Sequence, residues 1–147
     1  MQSNDRLLII DSEFRDLIRP LMKDDYIKLE DSVRKNGCRK PLLTWNGIIV
    51  DGHKRYQICL RYGLPYETEL LEFKYREEAI VWICRSQCAR RDITEEARRY
   101  LIGRQFEAQK TVTRLRNKER YEEFINQVSA EGKPYETYDP TNPLRKR

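Results

Sequence analysis

The chain has 147 residues, of which 39% are hydrophobic and 36% charged, with a net charge of +5. That is enough for one ordinary domain with extensions and too apolar for a disordered chain. The longest uncharged apolar stretches are too short to span a bilayer and no signal peptide is visible at the start, so a soluble cytoplasmic protein is expected.

The first twenty residues mix Phe14, Leu17 and Ile18 with charges and end at Pro20. A helix is expected from Asp24, a good N-cap, with Tyr26, Leu29 and Val33 on one face, stopped by Asn36-Gly37. After Pro41 the extended run Leu42–Trp45 meets Asn46-Gly47, a strong hairpin signal because both residues accept positive φ. Ile48–Val50 returns antiparallel. The next helix, His53–Tyr62, is expected to bury Tyr56, Cys59 and Leu60 and to end at Gly63.

Pro65 opens a further strand read as Tyr66–Phe73. Arg76–Ala89 reads as a helix with a stripe of Ala79, Ile80, Ile83, Cys84 and Gln87. Thr94 caps another helix reaching about Lys110, and Tyr121, Phe124, Ile125 and Val128 mark a last one ending before Gly132. The closing segment, with Pro134, Pro140, Pro143 and Arg145-Lys146-Arg147, reads as a mobile basic tail. The order predicts an α+β class: a core over residues 1–92 with a small mixed sheet and surrounding helices, a helical extension over 93–131 and the tail over 132–147.

Four cysteines (Cys38, Cys59, Cys84, Cys88) and one histidine lack metal-site spacing, so no metal site is expected and buried thiols are the plainer reading. Charge is uneven: residues 74–120 hold 13 basic and 7 acidic side chains, whereas residues 1–73 hold 12 of each. A cationic middle suits a polyanion such as DNA or a nucleotide, and equally a solvated helical surface.

The stretch IIVDGHKRYQ joins a strand to a helix through Asp51-Gly52 and opens that helix with cations. A helix N-terminus carries unpaired N–H groups and about half a positive charge, and Gly52 would let an anion approach the backbone. Lys54 and Arg55 there oppose the dipole, which an incoming phosphate would offset. Arg55 could hold phosphate oxygens bidentately, with Lys54 as a point charge. The other reading is a plain strand-to-helix connection with solvated charges and His53 as an exposed first-turn residue. Downstream, Arg90 and Arg91 could complete a polyphosphate cradle, or simply offset Asp92, Glu95 and Glu96.

Taken together, GCRKPL (37–42), IIVDGHKRYQICLRYGLP (48–65) and SQCARRDITEEARRYL (86–101) resemble the N-terminal domain of ParB-type partition proteins, over roughly residues 17–103. The likeness is greater to ParB-like proteins of plasmids, phages and conjugative elements than to chromosomal ones. That family shares a fold with sulfiredoxin. The resemblance implies a nucleotide site, for CTP in the partition proteins, with or without Mg²⁺. Its GxxR phosphate turn falls on Gly52, His53, Lys54 and Arg55, and its base-proximal segment on Lys40 and Pro41. Its second phosphate motif, ENxxR, falls on Ser86, Gln87 and Arg90, with Arg91 beside it. Arg85 or Ser86 stands where the family has its Mg²⁺-holding acid, a departure that bears on hydrolysis rather than on binding.

A sulfiredoxin-type reductase needs a cysteine directly after the glycine, where this chain has His53, and a nuclease needs clustered carboxylates that are missing near the turn. A weak nucleoside triphosphatase is the enzymatic expectation left.

The family's helix-turn-helix is not found after Thr94; it is absent or lies beyond Arg147. Arg98, Arg99, Arg104, Lys110, Arg114 and Arg116 could still meet DNA backbone. The alternative use of this extension is self-association through Tyr121, Phe124, Ile125 and Val128. The expected protein is therefore a ParB-like, nucleotide-responsive, DNA-associated regulatory or partition module, nucleoid-associated and homodimeric. Its expected partners are DNA and a partition ATPase or another protein encoded by the same element. The alternatives are a nucleotide hydrolase or phosphotransferase on the same fold, and a scaffold domain with a vestigial pocket.

Overall fold

The computed structural model describes residues 7–132, so the tail assigned from the sequence lies, from residue 133 on, outside the described residues. The elements in chain order are α1 (Ser12–Leu17), α2 (Lys23–Asn36), β1 (Leu42–Trp45), β2 (Ile48–Asp51), α3 (His53–Tyr62), β3 (Thr68–Leu70), α4 (Arg76–Cys88) and α5 (Glu95–Ala130). This is the α+β arrangement expected.

The sheet is mixed, in the order β2-β1-β3, with β1 antiparallel to β2 and parallel to β3. Asn46 and Gly47 take φ of 50° and 77°, which closes the hairpin as the Asn-Gly pair dictates. A register irregularity follows: Leu43 pairs with Asp51 but Thr44 pairs with Ile49, leaving Val50 as an extra residue. Two consecutive side chains, Ile49 and Val50, are thereby both fully buried, each in a different cluster. Val50 packs with Phe14, Ile80 and Ile83, whereas Ile49 packs with Leu42 and Tyr56. The bulge thus feeds apolar groups to both faces of the sheet just before the Asp51-Gly52 turn.

Several boundaries differ from the sequence reading. Met22 is the N-cap of α2 with no side-chain bond, and Asp24 sits inside the first turn with Asp25, where the helix dipole favours both. The strand after Pro65 shrinks to Thr68–Leu70, all exposed on the sheet's edge. In α3 the buried set is His53, Tyr56, Ile58 and Cys59, while Leu60 is exposed.

The two helices expected after Thr94 are one continuous helix of 36 residues, capped by the Thr94 hydroxyl, which accepts from the Ala97 N–H at 3.1 Å. Its Leu101 and Ala108 join the core cluster of Phe14 and Val50. Ion pairs clamp it further: Arg104 to Glu13 at 3.1 Å, Arg116 to Glu78 at 2.8 Å, and Glu119 to Lys74. The stripe assigned to self-association is not an open face, because Val128 is buried and Tyr121, Phe124 and Ile125 are half-buried within the chain.

Asp11 caps α1 by accepting from the Phe14 N–H and also receives Arg76 through two hydrogen bonds, at 2.6 and 2.8 Å. The Arg76 bond is the main reason its carboxyl lies below the usual carboxylate value. A folded-state value below the unfolded one stabilises the fold above pH ~4 and loses that stabilisation as pH falls through the folded value. Asp11→Asn keeps a capping oxygen but loses the ion pair, and is expected to cost about 1 kcal/mol at pH 7. Urea denaturation at pH 7 and pH 3 checks this; the difference between variant and wild type should shrink at the lower pH.

Candidate functional site

The strand-to-helix turn opens onto a cavity of about 1050 Å³. One wall is α3, from Gly52 to Arg61; the facing wall is the end of α1 and the segment after it, from Arg15 to Leu21; Arg90 closes one end. Six cationic side chains line it (Arg15, Arg19, Lys54, Arg55, Arg61, Arg90) against two carboxylates, Asp16 and Asp51. Apolar wall comes from Ile10, Ile18, Pro20, Leu21, Leu29 and Leu60. The exposure of Leu60, unexpected from its helical spacing, is exposure to this cavity.

Gly52 is the N-cap of α3 with φ 105°, ψ 21°; no side chain caps the helix and no acid occupies its first turn. A backbone bond from the Tyr56 N–H to the Gly52 carbonyl, at 2.9 Å, closes the first helical turn. The N–H groups of residues 53–55 therefore stand at the positive end of a ten-residue helix with nothing acidic supplied to them by that helix. The Arg55 guanidinium packs against Gly52 and donates from Nη1 to the carbonyls of Lys40 (2.9 Å) and Pro41 (3.3 Å). Lys54 is exposed.

His53 is not the exposed residue that the turn's polarity led us to expect. It is 8% exposed, and neither Nδ1 nor Nε2 has a hydrogen-bond partner among the described residues. Burial is the largest influence on its imidazole and lowers its pKa; Asp51 opposes that, Arg15 and Lys54 reinforce it, and Asp11 weakly opposes it. Near pH 7 the ring is neutral.

The structure brings Gly52, His53, Lys54, Arg55 and Arg90 to one cavity. Lys40 and Pro41 reach it through Arg55 only. Gln87 is buried behind the wall, its Oε1 accepting from the Arg19 N–H at 3.1 Å, so it positions the segment after α1. Arg91 is exposed and lies off the cavity. Arg90 pairs with Asp92 at 3.3 Å, and the same carboxylate holds Arg19 at 2.7 Å.

Sequence reasoning missed Arg15, Arg19 and Asp16. Their only signal was that Phe14 and Leu17 claim the buried side of α1.

Of the basic residues proposed for DNA backbone, Arg98 donates to the Cys88 carbonyl at 2.8 Å, and Arg104 and Arg116 hold α5 to the core. Lys110 pairs with Glu107 at 3.7 Å, and Arg99 and Arg114 are exposed. Among the described residues no group of three or more His, Cys, Asp or Glu side chains could hold a metal ion, and no helix is long and apolar enough to cross a membrane. Burial first, and Cys38 beside it, push the Cys59 thiol up to about 12, which makes it a poor nucleophile.

The small mixed sheet, the helices around it and the long last helix form a ParB N-domain-like fold. A pNOB8-like ParB N-domain structure, in its C2221 form, superposes with a TM-score of 0.62 at 22% identity, over 77% of this chain and 46% of that one. A second pNOB8-like ParB N-domain structure gives 0.54 at 20% identity, over 84% and 46%. The chain thus spans about half the length of the structures it matches. At these identities the likeness concerns the fold. No protein-family model matches the chain, and no curated protein does.

Proposed function

We propose that the chain is a ParB-like, DNA-associated regulatory or partition module that binds a nucleoside triphosphate, CTP foremost, at the α3 N-terminus. The observation that carries this reading is the cavity itself. An uncapped helix start, an adjacent half-buried Arg55 and five further cations surround a space large enough for a nucleotide. Its apolar wall of Ile18, Leu21 and Leu60 suits a base or ribose, while the cations suit phosphates. Mg²⁺, where used, would be held chiefly by the phosphates, since Asp16 and Asp51 are the carboxylates of the cavity lining.

DNA, a second copy of the chain and a partition ATPase or other element-encoded protein are the proposed partners. Arg99, Lys110 and Arg114 are the backbone-contact residues that remain on the exposed face of α5.

Isothermal titration of the full chain with CTP, UTP, ATP and GTP, with and without Mg²⁺, tests the reading. Saturable binding in the micromolar range, about −8 kcal/mol, is expected for one of them. The absence of heat for all four, with DNA retardation retained in a gel, would leave a plain DNA-binding module. Steady phosphate release that Arg55→Ala abolishes would instead favour a hydrolase, for which Asp16 and Asp51 are the nearest carboxylates.

A further inference from the structure

We propose that His53 is a proton-linked ligand of this cavity: its imidazole takes up a proton from solvent when a phosphate group occupies the start of α3. The inference rests on the nucleotide reading and adds a regulation to it. Three independent features converge. The ring is more than nine-tenths buried yet lines the cavity, and both of its nitrogens lack partners. A buried polar pair left unsatisfied in this way is costly unless a ligand completes it. The ring also occupies the first position of an uncapped helix, beside the N–H groups that would receive the same anion.

Charges reach the ring from each neighbouring element. Asp51 comes from the end of β2, Lys54 from α3 itself, and Asp11 and Arg15 from the cap and body of α1. Asp16, Arg19, Arg55, Arg61 and Arg90 are the charged groups of the rest of the cavity. Asp11 is engaged by Arg76, and Asp16 by Arg15, so Asp51 is the one carboxylate near the ring that forms no ion pair among the described residues. In the free protein, burial of the ring, reinforced by Arg15 and Lys54, holds the imidazole neutral. A polyphosphate reverses the local sign: its oxygens accept from one ring N–H and favour the charged form, in which both nitrogens donate. The proton binds to the previously unpartnered nitrogen, so the imidazole becomes imidazolium and no other bond changes.

The sign follows. Because the complex holds the proton more tightly than the free chain, affinity is highest at low pH and falls as pH rises through the value His53 has in the complex. CTP itself takes up a proton near pH ~6, so wild type must be read against His53→Asn, which keeps a hydrogen-bonding side chain without titrating. The ratio of wild-type to H53N affinity for CTP is expected to fall roughly fivefold to tenfold between pH 6 and pH 8. Calorimetry of wild type alone, in buffers of different ionisation enthalpy, should register uptake of up to one proton per CTP beyond that of the ligand.

CTP binding with a pH-independent ratio and no excess proton uptake overturns the role of His53 and leaves the nucleotide site standing. No binding of CTP or inorganic tripolyphosphate at any pH overturns both. Circular dichroism of H53N separates a folding defect from either outcome, and the wild-type calorimetry decides the matter if that variant does not fold.

Discussion

Arg55→Ala is expected to weaken nucleoside triphosphate binding about 100-fold, roughly 3 kcal/mol, with a loss of fold stability of only about 1 kcal/mol. Arg55 is the half-buried cation nearest the helix start, and its guanidinium is already oriented by two backbone carbonyls. Only Nη1 is engaged by those bonds, so Nη2 and Nε remain to face a phosphate. A fork held in place in this way loses little further freedom on binding, which is why its removal should outweigh that of the exposed Lys54. Lys54→Ala should cost only about threefold to tenfold, as a screened point charge. Arg55→Lys should not rescue binding, because an ammonium cannot bridge Lys40, Pro41 and a phosphate together. Titration calorimetry with the preferred nucleotide checks all three variants. Wild-type affinity in Arg55→Ala would place the anion somewhere other than this turn.

What the sequence disclosed about this site was local. The Asn46-Gly47 turn, the strand it returns and the glycine-opened helix were legible because each follows from two to four adjacent residues. The stripe on α4 was legible because 3.6-residue periodicity survives in a helix packed on one side.

The continuity of α5 was not legible. Half of residues 111–120 are charged and the segment reads as a break, whereas Arg116 and Glu119 are held by Glu78 and Lys74 from elsewhere in the chain. Periodicity cannot distinguish a cross-element ion pair from a solvated charge. The second wall of the cavity was hidden for a similar reason. Arg19 is placed there by Gln87 and Asp92, some 70 residues on, which fix the segment after α1. His53, which looked polar and exposed, is enclosed in the fold.

The site's tightest constraint is steric, and it predicts a large loss of stability. Gly52→Ala is expected to cost about 2–4 kcal/mol. A β-carbon at Gly52 would lie 2.6 Å from Leu42 Cδ2 and 3.1 Å from Arg55 Nη2, on a backbone with φ +105°. The backbone alone disfavours any side chain there by about 1–2 kcal/mol. Leu42 is fully buried against Ile49 and Tyr56, so its methyl can retreat only by disturbing that cluster, an overpacking worth about 1–3 kcal/mol. Arg55 could give way instead, but only by lengthening its bonds to Lys40 and Pro41, which would degrade the phosphate seat. Stability and affinity should therefore fall together. Urea denaturation measures the first and nucleotide titration at a temperature where the variant is folded measures the second. A loss below about 0.5 kcal/mol with unchanged affinity would mean that the turn tolerates a side chain, and that close approach of backbone and anion is not what Gly52 provides.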